Sequence, residues 1–544
     1  MNSYGIDYQD ILEDKILYAF LENFESLQSF YAHDPRDPDV WHRMVEAVQS
    51  RKHLPPREDL ARIIEDQNKR YGADSAVLSN VRSLAEEDTF VIATGQQTGL
   101  LTGPLYTIFK AITAVKLANS ISEKIGIRTI PIFWMAADDH DFAEINSVNV
   151  CRTDGEPISF ELKSDESNDR KSASNLKLGP GIGPLLEQFE KILPDTEYRQ
   201  HTIDILNRIC TSETSFPDAF AQLMTVLFQG QGLIIVDPTD PALKPHIRRV
   251  FEREICNPLA STQSVLRTSK NLRKAGFEPQ VSRLPNAVNM FLYNSGQRNA
   301  IFYKDGYFTN RDASLSFSEQ ELLRLLETAP ERFTHNVITR PLVQDTLFPT
   351  LTYVGGPSEI AYYGQLGEVY NQFELPFPII YPRASHTLVS GTTKRILDKH
   401  NLRLSHFTHG IDTVIDQSLR KQMPSEITSG LRAAQQNLET QYKNLKKHII
   451  AIDPGLDRIV DSSERKATFA LGKLEEKTLR ALKKTDSVNQ TQIKRVEYQV
   501  FPNKKLQERV VNIWQYIGQY GFGLMKTLFN STDESDFRHR ITPL

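Results

Sequence analysis

Residues 89–135 constrain the fold more than any other stretch of the chain. Thr89-Phe-Val-Ile-Ala-Thr94 is a short β-branched run that reads as a buried strand. A segment punctuated by glycine follows, Gly95-Gln-Gln-Thr-Gly99-Leu-Leu-Thr-Gly103-Pro104. Leu105 to Asn119 then spaces Ile108, Ile112, Val115 and Leu117 at helical intervals. Arg128-Thr-Ile-Pro-Ile-Phe-Trp-Met135 is a second apolar strand. Strand, glycine turn, helix and strand in that order form a βαβ unit, whose strands are parallel neighbours in a doubly wound α/β sheet.

Further strands recur at Gly232–Asp237, Val288–Tyr293, Asn299–Tyr303, Thr350–Val354 and Phe377–Tyr381, with Lys304-Asp-Gly306 as a hairpin turn. The polar stretch Lys163 to Lys177 reads as an insertion loop. Residues 1–85 read as helical, with Ile11, Ile16, Leu17, Phe20, Leu21 and Phe24 on one face. Beyond about 410 the period becomes heptad-like: Ile427, Leu431, Ala434, Leu438, Tyr442, Leu445 and Ile449, a break at Asp453-Pro-Gly455, then Leu456, Val460, Ala467, Leu471 and Leu474. Two such helices joined by a proline-glycine turn predict an antiparallel coiled-coil hairpin, each arm ~35 residues long. The expected domains are a helical cap at 1–85, an α/β core with insertions at 86–400, a coiled-coil arm at 401–500 and a helical tail at 501–544.

Charge separates these regions. The whole chain carries −4, yet residues 401–544 hold 23 Lys and Arg against 16 Asp and Glu. An acidic body and a basic arm follow, and the near-zero total removes any global case for nucleic acid. The arm reads either as a dimerisation element or, through its charge, as an RNA-binding one. Three cysteines, Cys151, Cys210 and Cys256, offer neither a disulfide framework nor a CxxC zinc pair, as expected in a reducing cytosol. All three are expected to be buried or incidental. The acidic start, with Asp7, Asp10, Glu13 and Asp14, does not resemble a secretory signal, and no apolar run reaches the ~20 residues needed to span a bilayer.

Chemistry concentrates at three places expected at one edge of the sheet. In the first, glycines 95, 99 and 103 match neither GxGxxG nor the GxxxxGK[ST] phosphate loop. Gly103-Pro104 is nonetheless a good helix start, and its free amides and positive dipole end are expected to face an anion. Thr94, Gln96, Gln97, Thr102 and Tyr106 stand beside it as further polar groups. Lys110 can reach a phosphate or sit solvated. The second is Asp138-Asp139-His140-Asp141 with Glu144, where acids around a histidine suit acid/base work, Mg²⁺ binding, or simply a helix N-terminus. The third is Gly355-Gly356-Pro357-Ser358-Glu359, a second strand-turn-helix junction, followed by Arg383 as a bidentate partner for a substrate carboxylate or one half of a surface ion pair.

The stretches TGQQTGLLTGPLYTIFKAITAVKLA (94–118), PIFWMAADDHDFAEI (131–145), YVGGPSEIAYYGQL (353–366) and PFPIIYPRAS (376–385) together resemble the bacillithiol biosynthesis cysteine-adding enzymes, or cysteine ligases. Order, spacing and total length agree, so the resemblance covers essentially the whole chain. It implies a Rossmann-type core related to class I aminoacyl-tRNA synthetases, a homodimer formed through the coiled coil, and a cytoplasmic enzyme. The implied reaction joins the carboxylate of cysteine to the amine of glucosaminyl-malate, giving a low-molecular-weight thiol. Amide formation from a free carboxylate needs activation, most simply by ATP with Mg²⁺. The chain carries GPLYT where related synthetases carry a HIGH-type motif, and no KMSKS equivalent, so nucleotide use stays open. Two other readings of the same residues are a noncatalytic interaction protein on a Rossmann platform and a metal-dependent nucleotidyltransferase or hydrolase.

Overall fold

Five parallel strands form the central sheet, in the order Ile379–Pro382, Thr350–Gly355, Phe90–Gln96, Thr129–Met135 and Ile234–Val236. The computed structural model describes residues 4–51, 54–138, 142–152, 155–163, 176–408, 410–485 and 487–544. Phe90–Gln96 and Thr129–Met135 are buried along nearly their whole length, which is why they read as unbroken apolar runs rather than alternating ones. They pair in parallel from Phe90 opposite Thr129 to Gln96 opposite Met135, as the βαβ reading requires. The helix between them, Leu105–Ile125, ends at Gly126, whose φ of 67° is the left-handed stop that glycine supplies.

Strand order fixes where a ligand can sit. The chain builds outward from Phe90–Gln96 to Thr129–Met135 and Ile234–Val236, then returns to place Thr350–Gly355 on the other side of Phe90–Gln96. The order reverses between these two strands, and their carboxyl ends flank a crevice there.

The chain divides into two units. The first comprises Met1–Thr153, Pro157–Leu388 and Leu506–Leu544, and the second Asp154–Glu156 and Val389–Lys505. In the first, the helix Lys15–Glu22 is capped by Asp14 and buries Ile16, Leu17 and Phe20 in the same core as Val91 and Ile130 of the sheet. A separate antiparallel sheet is ordered Ser316–Phe317, Tyr307–Thr309, Gln297–Lys304, Ala287–Asn294 and Phe333–His335. Its central hairpin matches the expected turn, whereas Phe333–His335 is too short to carry a sequence pattern.

The last residues depart from the expected helical tail. Helices Ile513–Tyr520 and Gly523–Ser531 are followed by a strand, His539–Pro543, which lies between Tyr4–Ile6 and Ser385–Val389. The segment from 506 therefore completes the first unit instead of extending the arm. The reason is apolar content without a heptad: Val511, Ile513, Trp514 and Ile517 are buried in the core that contains Phe109 and Phe133.

In the second unit the expected hairpin forms from Ser425–Ile452 and Asp457–Thr485, joined at Pro454–Leu456. Its helices are 28 and 29 residues long, shorter than the sequence suggested, because a separate helix starts at Ser487. Lys446 reaches across to Asp457 at 2.9 Å, and Tyr442 shares a 3.0 Å hydrogen bond with Ser463. One partner helix covers only one side of the seam, so Leu445 and Phe469 remain exposed.

Candidate active site

A cleft of about 690 Å³ opens at the crevice where strand order reverses. Its floor comes from the Phe90–Gln96 strand and the turn after it. Gly95 is required there: a Cβ would lie 2.6 Å from the Trp134 carbonyl oxygen on the neighbouring strand. Gly95→Ala is therefore expected to part the two strands at the cleft, lowering stability by roughly 1–3 kcal/mol, as overpacking does. Thermal unfolding checks this, and an unchanged melting temperature would contradict it.

Lys110 projects from the Leu105–Ile125 helix into this floor and is buried. Its Nζ donates to the Gly95 carbonyl at 2.9 Å and to Gln96 Oε1 at 2.8 Å, and pairs with Glu359 Oε2 at 2.5 Å. Glu359 is the third residue of the helix Pro357–Tyr363. Its Oε2 accepts from the Gly356 amide at 2.9 Å and its Oε1 from the Tyr353 hydroxyl at 2.5 Å. Burial pushes the Glu359 carboxyl up, but Lys110 and then the Gly356 amide outweigh it and hold the group below the usual carboxylate range. The solvated alternative for Lys110 is thus excluded. Gln96 Nε2 in turn donates to the Tyr106 hydroxyl at 3.2 Å, and Gln97 bonds Glu144 at the rim.

Arginines form the walls. Arg340 is held over the Tyr353 ring, 4.7 Å from its centroid. It donates to the Tyr362 and Tyr363 hydroxyls at 2.8 and 3.2 Å and to Gln344 at 3.1 Å, all neutral groups. Arg340 belongs to the helix Thr339–Leu347, which Asn336 sets in place, its Oδ1 accepting from the Ile338 and Thr339 amides at 2.9 and 3.1 Å. Arg383 is not a surface ion pair. It is buried, donating from Nη2 to Glu508 Oε1 at 2.7 Å, beside a Gly356 whose Cβ would crowd its Nε at 3.2 Å. Arg509 lines the cleft without a side-chain partner among the described residues, and Arg283 and Arg298 also line it. Among the described lining residues, six basic side chains face only two carboxylates, Glu144 and Glu359. That balance favours an anionic ligand.

The expected residues divide clearly. Gly95, Gln96, Gln97, Tyr106, Lys110, Glu144, Gly356, Ser358, Glu359 and Arg383 line the cleft. Thr94, Gly99, Thr102, Gly103 and Gly355 do not. Thr94 stitches two strands by donating to the Val354 carbonyl at 2.8 Å. Leu100 and Leu101 are buried and turn the chain inward, Leu101 and Thr102 adopting positive φ. The helix start is closed by the late segment: the Leu105 amide donates to the Val511 carbonyl at 2.9 Å, and Asn512 Nδ2 donates to the Leu101 and Gly103 carbonyls at 2.6 and 2.7 Å. The Gly103-Pro104 start therefore does not fit the anion cradle expected of it. At the second helix start the Glu359 carboxylate occupies the Gly356 amide.

Asp138 is buried at the end of the Thr129–Met135 strand, with His335 Nε2 at 3.4 Å and Lys244 Nζ at 3.9 Å. Asp139, His140 and Asp141 lie outside the described residues. Among the described residues no group of three or more His, Cys, Asp or Glu could hold a metal ion. Cys151 and Cys210 are buried, and Cys256 is exposed. Sequence reasoning missed Arg283, Arg298, His335, Arg340 and Arg509; only the Asn336-x-x-Thr339 capping pattern ahead of Arg340 was a usable signal.

Two family models match the chain: "Bacillithiol biosynthesis BshC, N-terminal Rossmann-like domain" over residues 1–384 and "Bacillithiol biosynthesis BshC, C-terminal coiled-coil domain" over residues 386–544. Relatives match nearly all of its length. The "Putative cysteine ligase BshC" of Salinibacter ruber is 32% identical over 524 residues, covering 96% of this chain and 95% of that protein. The protein of the same name from Symbiobacterium thermophilum is 31% identical over 539 residues, covering 96% of each.

Proposed function

The chain belongs to the bacillithiol biosynthesis BshC family, and from that premise we propose that it is a ligase joining the carboxyl group of cysteine to the amine of glucosaminyl-malate in an amide bond, the last step of bacillithiol formation. The relatives' shared name supports the cysteine half of this reading. The acceptor half rests on one observation above all: Arg340, half-buried in the cleft, has only neutral hydrogen-bond partners among the described residues. A half-buried guanidinium without a carboxylate partner is well suited to bind one from the ligand. Malate supplies two carboxylates, and Arg509, without a side-chain partner among the described residues, lines the same cleft.

The remaining parts of the reading follow from less. The exposed Leu445 and Phe469 on the hairpin suit a second copy of the arm, giving a homodimer. Among the described residues no helix is long and apolar enough to cross a membrane, and we place the enzyme in the cytoplasm with its small-molecule substrates. The acyl group of cysteine must carry a leaving group before an amine can displace it.

Purified protein incubated with glucosaminyl-malate and cysteine, with ATP and Mg²⁺ or with a pre-activated cysteine ester, is expected to yield bacillithiol by mass spectrometry. No product with any donor would sink the ligase reading. Arg340→Gln is expected to lower kcat/KM for glucosaminyl-malate about 100-fold, the loss of one charge-assisted contact of ~3 kcal/mol, with the KM for cysteine little changed. An equal loss toward both substrates would place Arg340 elsewhere in the reaction.

A further inference from the structure

His335 and Asp138 form a pair that no motif announced. His335 closes the Phe333–His335 edge strand and its ring lines the cleft. Its Nε2 lies 3.4 Å from Asp138 Oδ2, and neither atom is hydrogen-bonded elsewhere among the described residues. Both side chains are more than nine-tenths buried, at 6% and 3% exposure. Buried polar atoms are rarely left without partners, and pairs of this kind tighten when substrate binds. The backbone under the ring is fixed, because Arg298 Nη2 donates to the His335 carbonyl at 2.6 Å. The Trp134 ring, 6.1 Å away, packs beside the imidazole.

We infer that His335 is the base of this cleft, accepting a proton on Nδ1 from the attacking amine, and that Asp138 is the positioning residue that holds its Nε2–H. Asp138, Lys244, Arg298 and Arg340 are the charged groups around the ring; burial with the three cations keeps the imidazole neutral in the free protein, and Asp138 is the one group among them that favours the imidazolium. Burial alone would raise the Asp138 carboxyl; Lys244, then His335, hold it below the usual range, so it is ionised when the imidazolium forms. The identity of the amine rests on the ligase reading. The amine lone pair forms the C–N bond to the acyl carbon of an activated cysteine ester or acyl phosphate. Its proton passes to His335 Nδ1, and the C–O bond breaks with its electron pair leaving on oxygen. The imidazolium then returns the proton to water.

In the amide-forming assay on the full chain, His335→Gln is expected to lower kcat by 100-fold or more with both KM values within about threefold. Asp138→Asn should lower kcat about tenfold, and should cost nothing further when added to His335→Gln, because the two act as one unit. Added imidazole should restore part of the activity of His335→Ala, which a purely structural histidine would not allow. A folded His335→Gln variant within threefold of the parent would overturn the assignment, as would loss of kcat in His140→Gln instead. A readout independent of turnover separates this from failure of the ligase reading. In ¹⁵N-histidine NMR of the unaltered protein at pH 7, the His335 signal, assigned by its absence in His335→Gln or His335→Asn, should report a neutral ring protonated on Nε2. It should shift on addition of glucosaminyl-malate and lose that tautomer in Asp138→Asn. A ring protonated on Nδ1, or one indifferent to Asp138→Asn, would refute the pair even if the protein makes no amide.

Discussion

Alanine at position 508 is expected to cost about 3–5 kcal/mol of stability, the largest effect of any single substitution considered for this chain. Glu508 is 1% exposed and accepts from Arg383 Nη2 at 2.7 Å, while its second oxygen accepts from the His386 amide at 3.0 Å. Burial opposes its charge, and Arg383 more than compensates, holding its carboxyl below the usual range. Removing it strands a buried guanidinium and an amide at once. A fall of several degrees in melting temperature checks the expectation, and a loss below 1 kcal/mol would contradict it. Replacing both members, Arg383→Met with Glu508→Leu, should recover much of the stability, because desolvating a pair offsets most of what the pair contributes. Ligase activity should stay low in the double variant, since Arg383 lines the cleft.

The second large effect is an acid limb in stability. Burial pulls His335 and His386 down to about 3 and His539 to about 4, all below the ordinary 6.5. Between those values and 6.5 the unfolded chain binds protons that the native one refuses. Stability is therefore complete above pH 6.5 and declines as pH falls toward 4. Each ring contributes about 1.4 kcal/mol per pH unit in that window, or about 4 kcal/mol for the three together. Hydroxyls hold both rings in place: Thr542 lies 2.8 Å from His386 Nδ1, and Ser385 and Thr387 lie 2.6 and 2.9 Å from the two nitrogens of His539. Melting temperatures at pH 7.5, 6.5, 5.5 and 5.0 test this. A flat profile across that range would show that these rings take up protons without unfolding, and His539→Asn should lessen the slope by about a third.

Much of the site was legible because it is contiguous. The β-branched run, the glycine turn and the helix after it are local patterns, and they placed Gly95, Gln96, Gln97 and Lys110 at the sheet edge. The same logic placed Ser358 and Glu359. What the helix starts face was not legible. The expected anion site at Gly103-Pro104 is filled by Val511 and Asn512, some four hundred residues later, and no spacing rule connects them. Nor does any pattern mark an arginine as lining a cleft: Arg340 sits in an ordinary amphipathic helix, and its setting depends on Tyr353 from the Thr350–Gly355 strand and on Tyr362 and Tyr363 from the Pro357–Tyr363 helix. His335 was hidden for a similar reason, being the end of a three-residue strand whose pairing with Ala287–Asn294 only the tertiary fold specifies.

The return of residues 506–544 to the first unit also sets an order of assembly. Glu508 follows its partner Arg383 by 125 positions in the chain, and the whole helical hairpin is translated between them. At about 5–20 residues per second that interval lasts roughly ten seconds. During it the parallel sheet is already synthesised, yet one wall of the cleft carries a cation with no counter-ion and the Leu105–Ile125 helix lacks its closing carbonyl. A nascent chain at this stage is a body waiting for its last forty residues. Chaperone dependence and degradation should therefore respond to ribosome pausing within the hairpin, even though no hairpin residue is among the described residues that line the cleft.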